Sequence, residues 1–284
     1  MLKIIKRIFV IVLLFISLFL LTLSVNNKPA LADDIHAKAI YVYDLKAGTV
    51  LISKNPEAQV PIASITKIAT AYAALRMLGR DRGILISPET LATEGDSGLI
   101  AGETWNIVDL IKFMLIVSSN DAARALEQAV NNNGGLIVQM NGLASELGLE
   151  QTFFLNTSGL DLSASLAGAY SSARDVSILL AQFNKEYPDI MISTIYPQKD
   201  FHISNILHTA LNTNLYTTRM VGLLGSKTGS TELAGANLSI IFDSEIGRPI
   251  VATALGSDGE YRFPDIITLI NEILHKLSKG KYVR

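Results

Sequence analysis

The rhythm of apolar positions divides this chain into stretches of different character. Ile8 to Val25 is one predominantly apolar run with no polar face. From Ala39 the pattern is that of strands. Ala39–Asp44 and Thr49–Ser53 are β-rich runs on either side of Leu45-Lys46-Ala47-Gly48, which predicts a hairpin. Ile65 to Leu78 then reads as a helix that is apolar on almost every side, through Ala69, Ala71, Tyr72, Ala74, Leu75 and Leu78. Such a helix belongs in the interior, so its first turn is a rigid place. Apolar spacings of three and four predict further helices on Ile107/Leu110/Ile111/Met114/Leu115, on Leu136/Met140/Leu143/Ala144/Leu147 and on Val176/Leu179/Leu180/Phe183. Strand-like runs return at Phe201–Leu207, Val221–Ser230, Leu238–Phe242 and Ile250–Leu255, before a last helix on Ile266/Leu269/Ile270/Ile273/Leu274/Leu277. Strands at both ends with helices between them predict an α+β fold: an antiparallel sheet flanked by helices, with an inserted all-helical lobe. No internal repeat is present, and no Pro-, Ser- or charge-rich linker divides residues 33–284, which read as a single domain.

Charge explains the first run. Lys3, Lys6 and Arg7 precede it, Ala30-Leu31-Ala32 follows it, and residues 1–32 contain no acid. That order of cationic, apolar and small-residue parts is the pattern of an export signal. A run of about 18 residues exceeds the usual ~7–15 of such a signal and approaches the ~20 of a spanning helix, so cleavage after Ala32 and retention as an anchor both fit. Either way the basic end stays in the cytoplasm and the rest is expected outside it, with contact to the membrane only through this segment.

The 284 residues include no Cys, and the formal net charge is −2. Disulfides, thiolate nucleophiles and Cys-ligated metals are thereby excluded, and the balance gives no basic footprint for nucleic acid. Any chemistry uses oxygen and nitrogen, with no cofactor implied. In Pro61-Ile62-Ala63-Ser64-Ile65-Thr66-Lys67 a Ser sits at the mouth of the buried helix and a Lys one turn later. Their side chains then share a face, and a Lys whose pKa is lowered can take the Ser proton. Taken alone, Ser-x-x-Lys is equally an N-cap followed by a surface Lys. Ser118-Ser119-Asn120 falls between two predicted helices, where an N-cap role and a functional one are compatible. Lys227-Thr228-Gly229 lies in a strand-like run that also holds Gly222 and Gly225, and Gly within a strand marks close approach of another backbone or of a ligand. Gly225-Ser226-Lys227-Thr228 is not a phosphate loop, because Ser226 stands where that motif needs Gly and no helix follows.

Ser-x-x-Lys, Ser-x-Asn and Lys-Thr-Gly in this order are far more specific together than singly. With Thr152–Asp161, Tyr170–Asp175 and Ala234–Leu238, they make the chain resemble, from about Ala39 to Leu277, the serine D-alanyl-D-alanine carboxypeptidases. These are the low-molecular-mass penicillin-binding proteins of peptidase family S11, with a β-lactamase/transpeptidase-like fold. The resemblance implies that Ser64 is the acylated nucleophile and Lys67 its general base. It implies that Ser118 relays the proton to the leaving amine, held by Lys227, and that Asn120 bonds the substrate peptide. Backbone N–H groups of Ser64 and Ser230, next to Gly229, would form the oxyanion hole, and Thr228 with Arg262 would receive the terminal carboxylate. The implied substrate is the peptidoglycan stem peptide ending in D-Ala-D-Ala, in cell-wall maturation, with β-lactams as covalent inhibitors.

Some features depart from that pattern. Many members carry a second β-rich domain and an amphipathic membrane tail, whereas Lys276–Lys281 is basic but too short for one, so attachment is expected through Ile8–Val25. Ser230 stands where an aromatic residue or His often follows Lys-Thr-Gly. His202 and His208 could share a strand face, but no third ligand or carboxylate motif accompanies them, so no metal site is expected. His36 and His275 read as solvated, and no His is tied to Ser64, which leaves a Ser-His-Asp triad without support. Three rivals stay open. An endopeptidase cutting cross-links would share the whole catalytic set, a β-lactamase would need a carboxylate such as Glu150 near Asn156, and an inert binding protein would leave all three motifs without purpose.

Overall fold

A computed structural model describes residues 35–279, apart from 93, 96 and 131–134. The run Ile8–Val25 and the Ala30–Ala32 site therefore lie outside the described residues. No helix among the described residues is long and apolar enough to cross a membrane.

The strands are β1 Ala39–Asp44, β2 Thr49–Lys54, β3 Val60–Pro61, β4 Gly83–Leu85, β5 Thr104–Asn106, β6 Phe153–Phe154, β7 Ala169–Ser171, β8 Gln198–Ile203, β9 Ile206–Leu211, β10 Leu223–Thr231, β11 Gly235–Asp243 and β12 Pro249–Ser257. The helices are α1 Lys67–Leu78, α2 Ile107–Val117, α3 Asn120–Ala129, α4 Gly135–Glu146, α5 Ala173–Glu186, α6 Pro188–Met191 and α7 Arg262–Ser278. Five strands form one antiparallel sheet in the order β10-β11-β12-β1-β2. The β1–β2 hairpin has the expected place. Asp44 Oδ1 accepts from the N–H groups of Lys46 and Ala47, and Arg248 Nε donates to Asp44 Oδ2 at 2.7 Å.

In β11 and β12 nearly every consecutive residue is buried, so both faces of the sheet are covered. Helices α5 and α7 supply that cover. The inserted lobe packs α2, α3 and α4 around α1, which is buried from Lys67 to Leu75. Its first turn is tighter than the sequence predicts: Ala63–Thr66 is a 3₁₀ turn, and the α-helix starts only at Lys67. Short strand pairs β4–β5 and β3–β7–β6 are threaded through the helical lobe.

One strand-like run was read too simply. Phe201–Leu207 is a hairpin, β8 and β9, turning at Ser204 and Asn205, in which Phe201 pairs with His208 and His202 with Leu207. Paired residues share a face across a hairpin. The even separation of His202 and His208 therefore puts them on opposite faces: His202 is exposed and His208 is buried.

Candidate active site

Two loops and one strand bring the motif residues together at the mouth of α1. The residue before Ser64, Ala63, has φ 49, a left-handed conformation that side chains other than Gly avoid. Opposite it, Gly159 has φ 81, and a Cβ there would sit 2.0 Å from Ala63 O. Gly229 on β10 is equally confined, since its Cβ would meet Ile62 O at 2.7 Å and Ser64 N at 3.1 Å. The sheet edge thus reaches the nucleophile turn only because Gly229 has no side chain.

Lys67 is fully buried, and its Nζ donates to Ser64 Oγ at 2.7 Å, Asn120 Oδ1 at 2.7 Å and Ser158 O at 2.8 Å. These are a hydroxyl, an amide and a carbonyl, and none carries a compensating negative charge. Burial pushes the Lys67 amine well below its ordinary pKa, and the ammonium of Lys227 pushes it further. Ser118, the C-cap of α2, is held at φ 62, while Ser119 caps α3 by accepting from Ala122 N at 2.9 Å. The capping reading holds at Ser119, and it leaves the Ser118 hydroxyl and the Asn120 amide free of that role.

Lys227 lies on β10 and donates to Ser118 Oγ at 2.9 Å and Thr228 O at 2.8 Å. Burial, and then Arg262, lower it to about 7. Thr228 is buried, with its hydroxyl 2.6 Å from that of Thr213. Ser230 is exposed next to Gly229. Arg262, at the start of α7, is nearly buried: its side chain is 13% exposed and Nη1 donates to Gly229 O at 3.3 Å. Arg262 Nε is buried with no hydrogen-bond partner among the described residues.

Beside Ser118 opens a cavity of about 350 Å³ lined by Gly95, Ser97, Ser118–Asn120, Thr209 and Leu211. A larger cavity of about 660 Å³ lies between β1 and α5 and contains none of the motif residues, so volume does not locate the chemistry. Glu150 is exposed, and Asn156 is occupied within its own loop, accepting from Gly159 N at 2.6 Å and donating to Leu160 O at 2.8 Å.

The sequence profile described as D-alanyl-D-alanine carboxypeptidase, peptidase S11, matches residues 25–258. The chain belongs to this family. Similar relatives include the D-alanyl-D-alanine carboxypeptidase DacC of Escherichia coli, 31% identical over 237 residues, which are 79% of this chain and 58% of that protein. A D-alanyl-D-alanine endopeptidase of Pseudomonas aeruginosa is 32% identical over 271 residues, 90% of this chain and 84% of its own. The chain thus spans somewhat over half the length of the first of these. In fold it is similar to the crystal structure of a D-alanyl-D-alanine carboxypeptidase from Mycobacterium tuberculosis, with TM-score 0.75 and 24% identity over 84% of this chain and 90% of that one.

Sequence reasoning within this family missed the second layer of the site. Ser158 O, Thr213 and the carbonyl of Glu94, which accepts from Asn120 Nδ2 at 2.7 Å, all contact motif residues. Two of these are backbone atoms, on which residue identity carries no signal. Gly159 did carry one, as a Gly inside the quoted Thr152–Asp161 stretch.

Proposed function

We propose that this chain is a serine-type D-alanyl-D-alanine carboxypeptidase that removes the terminal D-Ala from peptidoglycan stem peptides outside the cytoplasm. In this reading residues 1–32 direct export and residues 33–284 are the catalytic domain. One observation carries the proposal: a buried Lys67 amine, driven toward its neutral form, 2.7 Å from Ser64 Oγ.

The neutral Lys67 amine takes the Ser64 proton as Oγ attacks the carbonyl of the penultimate D-Ala. Developing negative charge on the carbonyl oxygen goes to the N–H groups of Ser64 and Ser230 beside Gly229. Ser118 gives its proton to the departing amine and takes one from Lys227 Nζ, 2.9 Å away. The C–N bond breaks, and an ester remains on Ser64. In the second half the roles reverse: water loses a proton through Ser118 to Lys227 while Lys67 returns its proton to Ser64 Oγ. Asn120 aligns the peptide, and the terminal carboxylate is received by the Thr228 hydroxyl and by Arg262, whose buried Nε has no hydrogen-bond partner among the described residues.

Cleavage of cross-links by the same machinery is a second reading, favoured by the likeness to the Pseudomonas aeruginosa endopeptidase over most of both chains. Incubation with purified muropeptides followed by mass analysis separates the two. Loss of one D-Ala from monomers supports the carboxypeptidase, splitting of dimers supports the endopeptidase, and neither product defeats both. Penicillin should leave one stable adduct on Ser64, because no carboxylate hydrogen-bonds to Lys67 or Ser64 among the described residues. Rapid drug consumption without an adduct would mean a β-lactamase.

A further inference from the structure

The sequence contains four His, and one of them, His208, is buried in a way that its strand pattern does not explain. On β9 the exposed residues Thr209 and Leu211 form one wall of the cavity beside Ser118, while His208 and Ala210 point into the body. The facing wall is made by Gly95 and Ser97. His208 joins the two. Its Nδ1 lies 3.0 Å from Gly98 O, and its Nε2 lies 2.7 Å from Glu103 Oε1. Both side chains are nearly dry, at 5% and 6% exposure. The other Glu103 oxygen accepts from Ile100 N at 3.2 Å and Trp105 Nε1 at 3.1 Å, so the 98–105 segment is organised around this carboxylate. Trp105 and Phe113 pack edge-on against the imidazole at 5.0 and 6.4 Å between ring centres and hold its orientation.

Gly98 O and Glu103 Oε1 each lie within hydrogen-bond distance of a ring nitrogen, so the ring ties the two together. Gly98 is bonded on one side to this ring, and its neighbour Ser97 is bonded on the other side to the catalytic loop. Ser97 Oγ donates to Asp121 Oδ2 at 2.9 Å and accepts from Ser119 Oγ at 2.8 Å. Asn120, between those two, bonds both Lys67 and Glu94 O.

We propose that His208 is a positioning residue for the substrate cleft: with Glu103 it bolts β9 to Gly98, and so sets the spacing between Thr209/Leu211 and Gly95/Ser97. The part of the substrate in this cleft is an extended peptide, which needs both walls at a fixed separation. The assignment of a peptide rests on the function proposed above; the bolt itself does not.

The test compares Glu103→Gln with the double variant His208→Phe/Glu103→Gln, both in the whole chain. In Glu103→Gln the amide oxygen keeps Ile100 N and Trp105 Nε1, the amide N–H can meet Nε2 of His208, and Nδ1 stays within reach of Gly98 O. Every bond survives, so KM and kcat should stay within about twofold of the parent. In the double variant the ring packing remains, no carboxylate is stranded and the bolt is gone. A misplaced cleft wall should raise KM for a D-Ala-D-Ala peptide about tenfold, while kcat changes less than about threefold because Ser64 and Lys67 are held elsewhere. Equal KM in the two variants, or a fall in kcat at unchanged KM, overturns the proposal. Hydrogen exchange reads the same link without turnover: the amides of 97–102 and 206–211 should exchange faster in the double variant than in Glu103→Gln. If the parent shows no peptidase activity yet this contrast is present, the functional reading falls and the bolt stands; equal exchange overturns the bolt whatever the activity.

Discussion

Two regions of the site are built differently. Around Ser64, backbone presses on backbone: Gly159 lies against Ala63 O, and Gly229 against Ile62 O and Ser64 N. Beside Ser118, by contrast, Glu94, Ser97 and Gly98 are held by side-chain bonds: from Asn120 to Glu94 O, between Ser97 and both Ser119 and Asp121, and from His208 to Gly98 O. Backbone contacts cannot give way by a change of rotamer, whereas a side-chain bond can be lost and replaced by water. The Ser64 side is therefore fixed by backbone contacts, whereas the far wall keeps its place only while its side-chain bonds are made and is the adjustable one once a bond is removed.

The comparison can be broken most easily at Lys67. Lys67→Arg keeps the charge and much of the length but removes any accessible neutral form. Acylation by labelled penicillin should fall by roughly 10³-fold or more, as expected when a general base is lost. Acylation at the parent rate would mean that another group activates Ser64.

Gly229→Ala probes the packed side by volume alone. Its Cβ would stand 2.7 Å from Ile62 O and 3.1 Å from Ser64 N, so the nucleophile turn and β10 must separate. The expected loss is about 2 kcal/mol in stability by denaturant unfolding and roughly 10²-fold in acylation rate. A folded variant with parental acylation would show that the close approach is dispensable.

Arg262→Gln reports on the charge that the packed side tolerates. Lys227 is lowered to about 7 first by burial and next by Arg262. If Lys227 acts protonated, kcat/KM declines as pH rises through about 7, and the variant should move that alkaline limb upward while weakening peptide binding about tenfold. The same depression has a signature in folding. Between about 7 and the ordinary Lys value, the unfolded chain binds a proton that native Lys227 does not, so stability rises with pH across that window. Below it Lys227 is protonated in both states and its contribution is constant. An alkaline limb that stays in place in the variant would remove Arg262 from the electrostatics of the site.

The smallest effect is expected on the adjustable wall. Ser97→Ala deletes the hydroxyl between Ser119 and Asp121, groups that the enlarged cleft can hydrate. Peptide turnover should fall by about fivefold or less, in line with two hydrogen bonds that water can replace. A loss as large as that of Gly229→Ala would erase the distinction between the two sides.

Local pattern was enough for most of the long elements and for the order of the motifs, but not for the turn at Ser204–Asn205 that splits the Phe201–Leu207 run. The hairpin around Leu45–Gly48, the buried helix behind Ser64, the capped loop at Ser119 and the spacing of Ser64 to Lys67 all follow from neighbours in the chain, because helix and strand periodicities act over a few residues. The need for Gly at 229 was also legible, as a Gly in a strand-like run. What tertiary structure alone decided is the state of the side chains. Lys67 and Lys227 are ordinary lysines in the sequence, and only burial together, with carbonyls and hydroxyls in place of carboxylates, lowers their pKa values. Arg262 entered only through the resemblance, and its burial beside Gly229 is decided by where α7 packs. His208 read as lacking a carboxylate, because Glu103 is 105 positions away in the chain and meets it only where β9 packs on the 98–105 segment. Desolvation and charge pairing depend on what surrounds a group in space, and a one-dimensional pattern does not record that.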